Sequence, residues 1–106
     1  FNVIYAENDD MAKGAVAALD KANISHGVGK DVIVMGFDCN SWALEELLNQ
    51  NWNYDGQCNP YQASYIEDVI KKLESGEKID EKTIIMDEKG FDATTITQDD
   101  VDQFGI

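Results

Sequence analysis

The sequence holds one proline, one histidine and two cysteines, and no hydrophobic run long enough to cross a bilayer. Each scarcity excludes something. A chain with one proline and scattered glycines is neither a flexible linker nor a low-complexity segment, and it carries no internal repeat. Cys39 and Cys58 fit neither zinc-ligand spacing nor a Cys-x-x-Cys redox motif. Each lies at or after a predicted strand end, which leaves a disulfide open and two free thiols as the default. The lone histidine, His26, sits between Ser25 and Gly27 in a loop, with no nucleophile and acid spaced around it for a triad. It is expected to be exposed and idle. Positive charge is scarce too: eight Lys and Arg stand against 21 Asp and Glu, a formal net charge of -13. Such a surface repels phosphate backbones and anionic membrane faces, so no nucleic-acid or membrane-surface partner is expected. The excess acid reads as solubility.

At 106 residues there is room for one small domain and no second core. Apolar content of 43% with 27% charge is ordinary for a globular protein, so disorder is not expected. The chain opens on Phe1-Asn2-Val3-Ile4-Tyr5-Ala6, a strand already under way, where a native amino terminus more often begins with loosely held polar residues. It therefore reads as a segment of a longer protein, and the lack of a signal peptide carries nothing about compartment.

Strands and helices alternate. Val3 to Ala6 is a short apolar strand, after which Asn8, Asp9 and Asp10 offer oxygens to cap a helix. That helix carries Ala12, Ala15, Val16 and Leu19 on one face, small enough to lie close to a sheet. Asn23 to Lys30 is the return loop. Its Gly27-Val28-Gly29-Lys30 is no phosphate loop, because it lacks the full spacing and precedes a strand. Val32 to Phe37 is a second strand, apolar throughout as in a parallel sheet, and it stops at Asp38. Ser41 is expected to cap a second helix with Leu44, Leu47 and Leu48 inward; Trp52 to Gln57 is a weaker strand. A third helix is expected with Asn59 as cap, Pro60 first, Gln62 as capping-box partner, Ile66, Val69, Ile70 and Leu73 on one face, and Gly76 at its end. Thr83 to Met86 and Ala93 to Thr97 read as late strands, and Asp99 to Gly105 as a polar tail with one helical turn.

Such alternation implies crossover connections and a mostly parallel sheet, in which ligands sit beyond the carboxyl ends of the strands. Asn8 and Asp38 occupy that place on the two best strands. A carboxylate only accepts hydrogen bonds whereas an amide both donates and accepts, so the pair can grip adjacent hydroxyls. Asn8 as a plain helix cap and Asp38 as a solvated strand end are the competing roles. Asp9, Asp10 and Asp38 as a magnesium pocket lack the lysine or activated nucleophile that phosphoryl transfer needs. Trp42 is placed to stack on a sugar ring, although packing on its own helix weighs above that.

These segments resemble a known family. Tyr5-Ala6-Glu7-Asn8-Asp9-Asp10-Met11-Ala12-Lys13-Gly14-Ala15 is similar to the strand-to-helix segment of type I periplasmic binding proteins, the ribose- and galactose-binding group of ABC-transport receptors. Val32 to Asp38 resembles their strand ending in Gly-Phe-Asp, and Asn59-Pro60-Tyr61 their proline-led re-entry into the opposite lobe. The three matches come in family order and span nearly the whole chain. The resemblance implies an α/β, three-layer fold with a mostly parallel sheet, here about the last third of a receptor, a partial C-terminal lobe. It implies no catalysis, no cofactor and no metal. Its function would be capture of a sugar or similar polyhydroxylated molecule outside the cytoplasm and delivery to permease subunits in the membrane. Asn8 and Asp38 match sugar-contacting cleft positions. The family often has glutamine two residues before the proline; here Cys58 stands there and Gln57 one place upstream, and Cys39 replaces the glycine usual after Gly-Phe-Asp. The helix over 60–76 would belong to the other lobe, so that the segment alone is expected to bind sugar weakly or not at all and to dimerise or swap an element. The alternative is the effector-sensing domain of a LacI-type transcription regulator, which shares the fold. Such domains typically place a proline before the second strand, where Gly29-Lys30-Asp31 stands here.

Overall fold

The computed structural model describes all 106 residues as two compact units, residues 1–58 with 89–106, and residues 59–88. The larger unit runs β1 (Val3–Tyr5), α1 (Asp9–Lys21), β2 (Ile33–Asp38), α2 (Ser41–Leu48), β3 (Tyr54–Gln57), then β4 (Gly90–Asp92) and α4 (Gln98–Phe104). Its sheet has the order β1-β2-β3-β4, with β1, β2 and β3 parallel and β4 antiparallel to β3. The parallel order follows from the helices between the first three strands, which carry the chain back to the starting edge before the next strand.

One core lies on one face of this sheet. Val34 of β2, Ala12 and Leu19 of α1, Ala43, Leu44 and Leu47 of α2, Trp52, Phe91 and Val101 are all buried in it. α1 approaches closely because Ala12 is small. Gly36 has the same reason: a Cβ there would stand 2.8 Å from the Trp52 ring. The alternate positions of β1 and β2 point away from these helices. Val3, Tyr5 and Ile33 are exposed, and Phe37 is half-buried with its ring 5.3 Å from that of Tyr5. The mostly parallel sheet is as expected, and this unit supplies two of the three expected layers.

Two local expectations are corrected in this unit. Ser41 does not cap α2. Asn40 holds that position without a side-chain bond, and the Ser41 hydroxyl donates instead to the Ile106 carbonyl at 3.2 Å. Ala93 to Thr97 is no strand: Asp92 folds a turn by accepting from the Thr94 amide at 2.8 Å, and Thr97 with Asp100 forms a capping box that starts α4. The strand falls earlier, at Gly90–Asp92, where only glycine clears the Tyr54 hydroxyl.

The smaller unit contains α3 (Ala63–Glu74). It begins three residues later than Asn59 and Pro60 suggested. The Asn59 side chain then accepts from the Tyr61 amide at 2.9 Å, a turn ahead of the helix in place of a cap. Gly76 ends α3 as expected. At φ +79° it lets the Glu77 amide reach the Lys72 carbonyl at 2.9 Å, closing the last turn. Thr83 to Met86 forms no strand, and Ile85 is 88% exposed. No side chain of α3 is buried. Its apolar face lines an open groove of about 270 Å³ with Tyr65, Ile66, Val69, Ile70, Ile84 and Met86.

Two glycines of the larger unit should respond oppositely to a methyl group. Gly36→Ala meets the Trp52 ring and the Asp9 carboxylate and is expected to cost about 1–3 kcal/mol. Gly14→Ala, mid-helix in α1 with nothing within 4 Å, should gain about 0.5–1 kcal/mol. Urea unfolding midpoints at unchanged slope read both.

Candidate ligand-binding site

Because β1, β2 and β3 run parallel, their carboxyl ends share one edge, where the segments after them gather. Asp38 and Gln57 are register partners at that edge. Asn8 follows β1 there and is half-buried, with its Oδ1 accepting from the Met11 amide at 2.8 Å. The capping role is thus filled by the carbonyl half of the amide. Gln57 is anchored toward β4: its own amide donates to the Lys89 carbonyl at 2.8 Å, and its Oε1 accepts from the Lys89 amide at 3.2 Å.

The turn after β2 is strained. Asp38 has φ +127° and Cys39 φ +64°, conformations that side chains with a Cβ rarely adopt. The glycine common at the second position in the resembling family would sit there freely, whereas Cys39 must be held. Two braces hold it. The Asp9 Oδ2 accepts from the Asn40 amide at 2.9 Å and from its Nδ2 at 3.1 Å. From the other side the Ile106 amide donates to the Cys39 carbonyl at 3.0 Å, and the Ser41 amide donates to the Ile106 carbonyl at 3.1 Å.

Beneath the turn lie two fully buried carboxyl groups, Asp9 and Asp55. The Asp9 Oδ1 and Asp55 Oδ2 are buried without a partner among the other groups, and the two side chains lie within hydrogen-bonding reach of each other. One proton between them satisfies both. Burial, then the neighbouring Asp9 charge, pushes the Asp55 carboxyl up to about 8, so Asp55 keeps the proton and donates it. Burial also raises Asp9, against the Asn40 donors and the Asp55 bond that favour its charge. Asp55 Oδ1 accepts from the Cys39 thiol at 3.9 Å. Burial raises that thiol far above its ordinary range, and it stays protonated.

Trp42 lies elsewhere. It packs edge-on against Trp52 with centroids 5.9 Å apart, and the Lys13 ammonium sits 4.3 Å above its ring. It lines a groove of about 380 Å³ beside α1 and α2 together with Val16, His26 and Glu46. Asn8, Asp38 and Gln57 share the strand edge; Trp42 takes packing partners. His26 departs from expectation. Its side chain is only 12% exposed, with Nδ1 2.8 Å from the Asn51 carbonyl and Nε2 3.1 Å from the Asp20 carboxylate. It ties α1 to the segment after α2. Cys39 is buried, Cys58 exposed, and both are free. Asp9 is committed to Asn40 and Asp55, and Asp10 is exposed in the first turn of α1.

Asp55 and the bracing role of Asp9 escaped the sequence. Asp9 looked like an ordinary first-turn acid, and Asp55 fell in the weakest strand. One signal was available: in Tyr54-Asp55-Gly56-Gln57 the carboxylate takes the inward position of the alternation.

No family model matches this chain. It is 32% identical over 92 residues to the fructose import binding protein FruE of Bifidobacterium longum (strain NCC 2705), covering 87% of this chain and 27% of that one. A Mycobacterium smegmatis protein solved in complex with β-D-fucofuranose is 29% identical at a TM-score of 0.74, over 89% of this chain and 30% of that one. A galactofuranose binding protein is 21% identical and superimposes at a TM-score of 0.83 over 98% of this chain and 34% of its own, a likeness of fold. The chain thus spans about a third or less of the length of the proteins it matches.

The buried pair makes a pH prediction. The folded Asp55 carboxyl lies above its unfolded value, 3.8 against about 8, so the native state holds the proton more tightly. Its contribution to stability is fully present below pH 4, declines as pH rises, and is gone above pH 8. Asp55→Asn, which keeps a donor toward Asp9, should flatten that decline. Urea titrations across the window check the slope.

Proposed function

We propose, on the premise that this chain resembles a segment of the type I periplasmic sugar-binding proteins of ABC transporters, that it supplies one wall of a sugar site in a solute receptor. The observation that carries this is the strand edge, where Asp38 and Gln57 are register partners and Asn8 follows the neighbouring strand. The Asp38 carboxylate accepts from sugar hydroxyls, the free amide half of Asn8 donates to them, and the Gln57 Nε2 donates from the third strand. A binding role without chemistry fits these groups, because no nucleophile paired with a base stands among them. The protein would work outside the cytoplasm and hand its sugar to permease subunits, as befits a relative named for fructose import. A LacI-type effector domain gains no observation from the structure, and the similar proteins are sugar-binding ones.

Residues 59–88 belong, in this reading, to the opposite lobe. α3 exposes Ile66, Ile70 and Leu73 and buries nothing, an apolar face of the kind that marks an interface. The absent remainder of the receptor is the cover proposed for it. The 106-residue chain by itself is then expected to dimerise, swap an element or repack α3, and to bind sugar weakly or not at all. Sedimentation of the isolated chain as a monodisperse monomer with α3 extended would count against this assignment.

In the complete receptor, Asp38→Ala and Asn8→Ala should each weaken binding of D-fructose or a related sugar by about ten- to a hundredfold, the loss of a charged or neutral buried hydrogen bond. Calorimetry measures it, after a thermal-shift screen of pentoses, hexoses and polyols selects the ligand. Unchanged affinity in both variants would sink the site.

A further inference from the structure

We infer that Asp9 and Asp55 are positioning residues, which hold Asp38 in place through one shared proton. The inference deepens the proposed sugar site and rests on Asp38 being a ligand of it. The geometry runs as a relay of four groups. Asp55 donates its proton to the Asp9 carboxylate, and the buried Asp55 Oδ2 and Asp9 Oδ1 have no partner among the other groups. The second Asp9 oxygen takes both the main-chain and the side-chain N–H of Asn40. Asn40 in turn closes the left-handed turn of Asp38 and Cys39. Gly36 leaves the room: a Cβ there would lie 2.5 Å from the Asp9 Oδ1.

The surroundings offer little to replace the proton. From β2 the pair feels Asp38, a third carboxylate that disfavours charge on both. From the turn it meets the Cys39 thiol, which stays neutral. On α1 the Lys13 ammonium is engaged above Trp42, and Asp10 is exposed. On α2, Glu45 is exposed and Glu46 lies in the Trp42 groove. When Asp55 ionises, two carboxylates stand side by side in a buried space, and their repulsion draws Asp9 away from Asn40. The brace on the strained turn loosens, and Asp38 loses its place. Sugar affinity should therefore fall with rising pH, in the opposite sense to a site that needs only an ionised Asp38.

Nuclear magnetic resonance on the 106-residue chain tests the relay without any sugar. The Asn40 amide and the Asp55 side-chain carboxyl carbon are followed together from pH 4 to 10. The expected result is a step in the Asn40 amide at the same midpoint as Asp55, far above the exposed aspartates, and its absence in Asp55→Asn. An Asn40 amide that stays flat while Asp55 ionises overturns the inference, as does Asp55 titrating with the exposed aspartates. In the complete receptor, with D-fructose as probe, affinity should drop about fivefold or more across that midpoint and stay level in Asp55→Asn. A level profile in a receptor whose binding does require Asp38 also overturns it. Fructose binding indifferent to Asp38→Ala, with the amide step present, instead removes the sugar reading and leaves the relay standing.

Discussion

The Asp9 carboxyl group is fully buried, a state that a protein interior tolerates only where hydrogen-bonding partners replace the lost water. Three donors do so here, two from Asn40 and one from protonated Asp55. Much of the strand edge is arranged around that need. α1 must start at Asp9 with its axis aimed at the turn after β2. Gly36 must lack a side chain. β3 must bring Asp55 inward beside it. Remove the carboxylate and the left-handed Asp38–Cys39 turn keeps only the brace from Ile106.

The same economy explains what the chain leaves open. Its compact part packs α1, α2 and α4 into one core on one face of the sheet, while Val3, Tyr5 and Ile33 remain in water on the other. Residues 59–88 form a unit with an apolar helix face and no buried helix side chain. Two uncovered apolar faces on so small a chain are uncommon in a self-sufficient monomer. They agree with its spanning about a third or less of the proteins it matches.

Where the sequence spoke through periodicity, it spoke clearly. The face of α1, the strand run to Asp38, the leucines of α2 and the stop at Gly76 all came from patterns that depend on neighbours in the chain. What it hid came from partners distant in sequence. Thr83 to Met86 has strand-forming residues and no strand, since pairing depends on partners that no local window contains. Gly90–Asp92 pairs instead since a bare glycine fits beneath Tyr54. Asn59 and Pro60 advertise a helix start but build a turn ahead of it. The strand-edge positions of Asn8, Asp38 and Gln57 were legible because strand ends are. The burial of Asp55, 46 residues beyond Asp9, depends on a parallel pairing that no local window contains.

The antiparallel pairing of β3 with β4 brings the two ends of the 59–88 excursion together. Gln57 and Lys89 are bonded twice, main chain to main chain and main chain to side chain. The excursion therefore leaves and rejoins the sheet through a single clasp, as a bag hangs from its drawstring. A tight hairpin could stand in for thirty-odd residues without unpicking a rung of the ladder. Evolution, or an engineer, is free to enlarge or exchange what hangs there while the sheet keeps its register.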